Sequence, residues 1–94
     1  MRAALAEARI AGQCGEIPIG AIIVGDGRVL GRGGNATEAR QDPTVHAEML
    51  AVRQACEALG SRRLLSTTLY ATLEPCAMCA GAIVLARVPR LVFG

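Results

Sequence analysis

The only histidine of this 94-residue chain, His46, stands two residues before Glu48, and further along Pro75 is followed by Cys76 and Cys79. These two short stretches restrict the possible folds more than any other feature, because they suit a single metal site only if two helix starts meet. Pro75 fits the first position of a helix, so Cys76 and Cys79 fall at i and i+3 on one face of its first turn, and both sulfurs can reach one ion. The free N–H groups and dipole of that helix start favour the thiolates a metal needs. His46 and Glu48 are roughly 200° apart around a regular helix and converge only at its tip. Asp42-Pro43 predicts such a tip, with Asp42 as N-cap and Pro43 as the first helical residue. One His and two Cys suit a catalytic zinc, since the fourth tetrahedral position stays open for a water that the metal acidifies. Glu48 is then placed to move protons.

Each half has a plainer reading. A Cys-x-x-Cys pair also occurs as a redox couple or as inert buried thiols. A histidine near a helix start is commonly an ordinary surface or capped residue, and a first-turn glutamate answers to the helix dipole. Together, His-x-Glu followed by Pro-Cys-x-x-Cys is the signature of zinc deaminases.

A chain of this length suits one domain that buries about two thirds of its unfolded surface. Hydrophobic residues make up 52% and aromatics 2%, so the core is built from Ala, Val, Ile and Leu, with Tyr70 and Phe93 as the only rings. All ten basic residues are arginine, yet a net charge of +2 is too small to diagnose a nucleic-acid partner. The four cysteines do not form a disulfide framework: two belong to the metal motif, and Cys14 and Cys56 read as small buried or loop residues. The N-terminus lacks an apolar signal region and no apolar run is long enough to span a bilayer, which predicts a soluble, cytoplasmic protein.

In chain order, residues 1 to about 12 read as a helix with Met1, Leu5, Ala8 and Gly12 on the stripe facing a sheet. Ile17–Val24 and Arg28–Arg32 read as a hairpin around Gly25-Asp26-Gly27, and 33–42 as a loop. A helix follows from about Pro43 to Leu59, polar only at Arg53, Gln54 and Glu57 along its body, with an apolar arc too wide for one sheet to cover. Thr67–Leu73 forms a third strand that feeds the cysteine helix, whose body from Ala77 to Ala86 carries no charge. A fourth strand at Arg90–Phe93 makes a parallel pair with the third. The order predicts an α/β fold, a mixed sheet flanked by helices in three layers.

Glu-Ile-Pro-Ile-Gly-Ala at 16–21, Asn35, Asp-Pro-Thr-Val-His-Ala-Glu-Met-Leu-Ala at 42–51, Thr-Leu-Glu-Pro-Cys-Ala-Met-Cys-Ala-Gly-Ala-Ile at 72–83 and Arg-Leu-Val-Phe-Gly at 90–94 cover most of the chain. In these segments it resembles the cytidine-deaminase-like superfamily, and within it the bacterial tRNA-specific adenosine deaminases. The resemblance implies that His46, Cys76 and Cys79 hold Zn2+ and Glu48 shuttles protons. It further implies that Asn35 contacts the nucleoside and that the backbone N–H of Ala47 donates to the base. The implied reaction is hydrolytic deamination of the wobble adenosine in a tRNA anticodon stem-loop, by a homodimer paired through its apolar helices. Members of this family continue past the fourth strand into a further loop, helices and a fifth strand, so the sequence is expected to represent the N-terminal catalytic part, with the C-terminal elements missing. Two other readings share some of these features. A free-base or nucleoside deaminase acting on guanine or cytosine shares the zinc motif, and a non-catalytic zinc-stabilised dimerisation module needs no substrate at all.

Overall fold

A computed structural model of the chain describes every residue from Met1 to Gly94. Its elements are α1 (Arg2–Gln13), β1 (Gly20–Gly25), β2 (Arg28–Gly34), α2 (Thr37–Arg40), α3 (Ala47–Leu59), β3 (Thr67–Ala71), α4 (Ala77–Leu85) and β4 (Arg90–Phe93). Asp26 and Gly27 both take positive φ, 53° and 71°, which is the two-residue turn whose twist matches a hairpin. The strands lie in the order β2-β1-β3-β4, with β1 antiparallel to both neighbours and β3 parallel to β4. The hairpin and the parallel pair are as expected. β1 begins at Gly20, later than the Ile17 start read from the sequence, because Pro18 has no N–H to give a ladder and the Ile19 N–H turns back to the Ile17 carbonyl at 2.8 Å.

Side chains alternate between the faces of the sheet, and here the alternation places glycines under both helical layers. A Cβ on Gly20 would overlap the carbonyl oxygen of Ala4 in α1, and one on Gly31 would overlap that of Ala51 in α3. With backbones this close, only alanine fits the contact stripes, and Ala4, Ala8 and Ala11 of α1 and Ala47, Ala51 and Ala55 of α3 are all buried. The expected Met1, Leu5, Ala8 and Gly12 stripe is thereby corrected: Met1, Leu5 and Gly12 are exposed, since leucine is too large for the seam.

On the α3 side, Ile83 and Ala86 join Ala21, Ile23, Leu69 and Ala71 of the strands in one core. The structure therefore has three layers: α1, the sheet, and the α3 and α4 pair. The largest fully buried apolar side chains are Ile23, Leu64 and Leu69, each worth about 1.5–3 kcal/mol of burial. Much of α4 stays uncovered, with Val84 63% and Leu85 77% exposed, and the edge strand β4 exposes Phe93. No helix is long and apolar enough to cross a membrane.

Candidate active site

Both motif-bearing helices start later than the sequence suggested. α3 begins at Ala47 with His46 as its N-cap residue in an extended conformation, and α4 begins at Ala77 with Cys76 in the same role. Asp42 and Pro43, expected to open α3, lie outside it. The Asp42 carboxylate accepts from the N–H and hydroxyl of Thr44 at 2.9 and 2.7 Å, a local turn that replaces helix capping. Those hydrogen bonds, the hydroxyl foremost, hold the Asp42 carboxyl below its usual range. Val45 is buried and its carbonyl accepts from the Ala36 N–H at 3.0 Å, which ties the residue before His46 to the segment after β2.

With His46 and Cys76 at N-caps and Glu48 and Cys79 in the turns that follow, two helix starts face each other. Nδ1 of His46 lies 3.6 Å from the sulfur of Cys76 and 3.5 Å from that of Cys79, and the three ligand atoms all fall within 4.8 Å of one another. Tetrahedral zinc, with bonds of about 2.3 Å to sulfur and about 2.0–2.1 Å to nitrogen, sets sulfur and nitrogen about 3.6 Å apart. The trio fits such an ion through Nδ1 and two sulfurs. The Cys76 thiol is held below its ordinary value by the backbone N–H of Cys79 facing its sulfur, although no cap hydrogen bond is formed. Burial, with the charge of Glu48 second to it, pushes the Cys79 thiol up to about 12. A fully buried thiol beside a carboxylate becomes a thiolate readily only with a cation at hand, which is the condition a divalent ion meets.

Beside the trio opens a cavity of about 170 Å³, of the order that accepts a benzene ring. Ile17, Ile19 and Leu73 form its apolar walls, and Asn35, Ala47, Glu48 and Glu74 supply polar groups. Glu48 is buried at the second position of α3, and Ala47 at the first position has an N–H with no intrahelical acceptor. Asn35 follows β2, its N–H donating to the Ile19 carbonyl at 3.0 Å. Its Oδ1 is the one buried side-chain nitrogen or oxygen without a hydrogen-bond partner. Such an orphan costs about 1–3 kcal/mol unless something else supplies a donor.

All six residues singled out from the sequence, His46, Glu48, Cys76, Cys79, Asn35 and Ala47, thus meet at one place. Sequence reasoning missed the walls Ile17, Ile19 and Leu73, and Thr37, which also lines the cavity. It also missed α2, which sits inside the expected 33–42 loop. Residues 16–19 stand in one of the segments that carry the resemblance, but nothing in them announces a cavity wall.

A helix-layered mixed sheet that brings His-x-Glu and Pro-Cys-x-x-Cys together beside a cavity defines the deaminase class. The whole chain, residues 1–94, matches the MafB19-like deaminase family and belongs to it. It is 56% identical over all 94 residues to a tRNA-specific adenosine deaminase of Agrobacterium fabrum, of which it spans 62%. A solved structure from work on A-to-I editing by tRNA:A34 deaminases at the wobble position of transfer RNA is 56% identical and superposes with a TM-score of 0.96 over all of this chain and 72% of that one. Guanine deaminase from Bacillus subtilis is 39% identical, with a TM-score of 0.95 over 99% of this chain and 60% of that one. The expected cytidine-deaminase-like architecture is borne out by these superpositions. The chain spans about three fifths of the length of the bacterial curated relatives it matches.

Proposed function

We propose that residues 1–94 act as a single zinc-dependent deaminase domain that hydrolyses adenosine to inosine at the wobble position of a tRNA anticodon stem-loop, in the cytoplasm. The observation that carries this reading is the His46, Cys76 and Cys79 trio, at separations that suit tetrahedral zinc, beside a cavity holding the buried Glu48. His46, Cys76 and Cys79 would hold the zinc, which would supply an attacking water made far more acidic than bulk water. Glu48 takes the proton released from that water and delivers it to a ring nitrogen, and a second transfer through the same carboxylate lets ammonia leave. The unpaired Oδ1 of Asn35 accepts a hydrogen bond from the nucleoside, and the Ala47 N–H donates one to the base. Ile17, Ile19 and Leu73 press on the ring and keep bulk water from it.

The choice of tRNA over a free base is supported by 56% identity to a tRNA-specific adenosine deaminase, against 39% to a guanine deaminase. The exposed, chargeless face of α4 suits a homodimer interface. The test is inosine formation by zinc-loaded protein on an adenosine-bearing anticodon hairpin, against free adenosine, guanine and cytosine. Remote RNA contacts that position the base should make the hairpin the fastest substrate by orders of magnitude. Faster turnover of guanine would move the chain to the guanine-deaminase reading. A protein with stoichiometric zinc and no turnover of any of them would be a zinc-stabilised binding module.

A further inference from the structure

Glu16 is a buried carboxylate, 7% exposed, for which the proposed chemistry has no task. Its backbone belongs to the end of α1. Gly15 takes φ 81° and donates to the Gly12 carbonyl at 3.2 Å, while the Glu16 N–H donates to the Ala11 carbonyl at 3.0 Å. That pair of bonds is the Schellman closure of a helix, so α1 fixes where Glu16 starts. Its side chain then crosses to the segment after β2. Oε1 accepts from the Glu38 N–H at 3.0 Å and Oε2 from the Ala39 N–H at 2.7 Å.

Both donors lie in the first turn of α2, where helix N–H groups have no acceptor of their own and where Ala36, at the N-cap, has no side chain to offer. α2 has four residues, far fewer than a helix needs to persist unaided. Its geometry is therefore imposed from outside, and the carboxylate makes the two charge-assisted contacts that impose it. The gripped turn begins with Thr37 and follows Asn35 by two residues, and both line the cavity.

We propose that Glu16 is a positioning residue: by gripping the start of α2 from the end of α1, it holds Asn35 and Thr37 in the cavity wall in the geometry that receives substrate. The purpose of that wall rests on the deaminase reading, whereas the grip itself can be measured without turnover. The experiment compares zinc-loaded wild type with Glu16→Gln and Glu16→Asp. Glutamine keeps the size but turns an N–H donor toward one of the two backbone N–H groups. Aspartate keeps two acceptor oxygens one methylene shorter.

In Glu16→Gln, hydrogen-exchange protection of the Glu38 and Ala39 amides should fall about 10- to 100-fold, and the Asn35 side-chain amide resonances should shift. Zinc content and the protection of β1 and α3 should stay unchanged. Inosine formation on the anticodon hairpin should fall in kcat/KM by a similar factor, and Glu16→Asp should recover part of each loss. A carboxylate that only supports the fold would lower Tm without moving the Asn35 resonances. Unchanged Asn35 resonances, or full turnover despite lost protection at Glu38 and Ala39, would overturn the proposal. If wild type itself forms no inosine, the deaminase reading falls, and the Asn35 resonances in the glutamine variant alone uphold or overturn the grip.

Discussion

The charge of Glu48 is felt at both cysteines, adding to the burial that pushes the Cys79 thiol up and only opposing the backbone hydrogen bond that holds the Cys76 thiol down, yet Glu48 stands outside the ligand trio. Glu48→Ala should therefore leave zinc content unchanged and lower turnover by about 10²- to 10⁴-fold, the usual worth of a positioned proton carrier. Metal analysis and an inosine assay on one preparation test this, and loss of zinc would make Glu48 a ligand. The cysteines predict a pH dependence. Because the Cys79 thiol without metal lies up at about 12, it is protonated throughout neutral pH, and an arriving ion must displace its proton. Apparent zinc affinity should then rise by at least about tenfold per pH unit between roughly pH 6 and 9, and fall as pH falls. A competition titration with a chromophoric chelator reads the slope, and a flat profile would mean that Cys79 is not bound as thiolate. The trio and Glu48 were legible in the sequence, because two residues two apart can converge only at a helix tip. The grip of Glu16 was not: its partners lie 22 and 23 residues away, beyond any spacing rule.

Among the elements, the strands and the long helices were readable from β-branched runs and turn residues, and β2, β3 and β4 start where expected, while the starts of β1, α3 and α4 were not readable. Asp42-Pro43 carries a valid helix-start signal, but the Asp42 carboxylate is committed to Thr44, and α3 opens only at Ala47. α2 was invisible because four residues have no periodicity to read and its stabiliser comes from another part of the chain. The join between α1 and Glu16 allows a sharper test. Nothing lies within 4 Å of where a Gly15 Cβ would sit, yet its φ is 81°. Gly15→Ala should cost about 1 kcal/mol of stability, entirely through left-handed backbone strain. A shift of the urea midpoint without a change in slope is the expected result, and a stabilised variant would mean that this helix end closes differently.

At the scale of the molecule, the close approach of α1 and α3 to the sheet left no mark in the hydrophobic pattern, since the seam is written in glycine and alanine. The uncovered face was legible: a cysteine helix with no charge along its body had to leave apolar surface somewhere, and Val84 and Leu85 are where it lies. Leu85→Asp should shift the protein from dimer toward monomer in sedimentation, with zinc content intact, and a wild type that sediments as a monomer at every concentration would remove the homodimer proposal. The paired helix starts have one more consequence. An ion held by His46, Cys76 and Cys79 ties points 30 and 33 residues apart in the chain, as a covalent cross-link would. By loop-closure entropy such a tie is worth about 3–4 kcal/mol, a large share of the roughly 5–15 kcal/mol that holds a domain folded. Chelation should accordingly lower Tm by more than ~10 °C. Under metal starvation, cells would then lose the molecule itself to proteolysis, so that scarcity of the ion is felt as falling abundance.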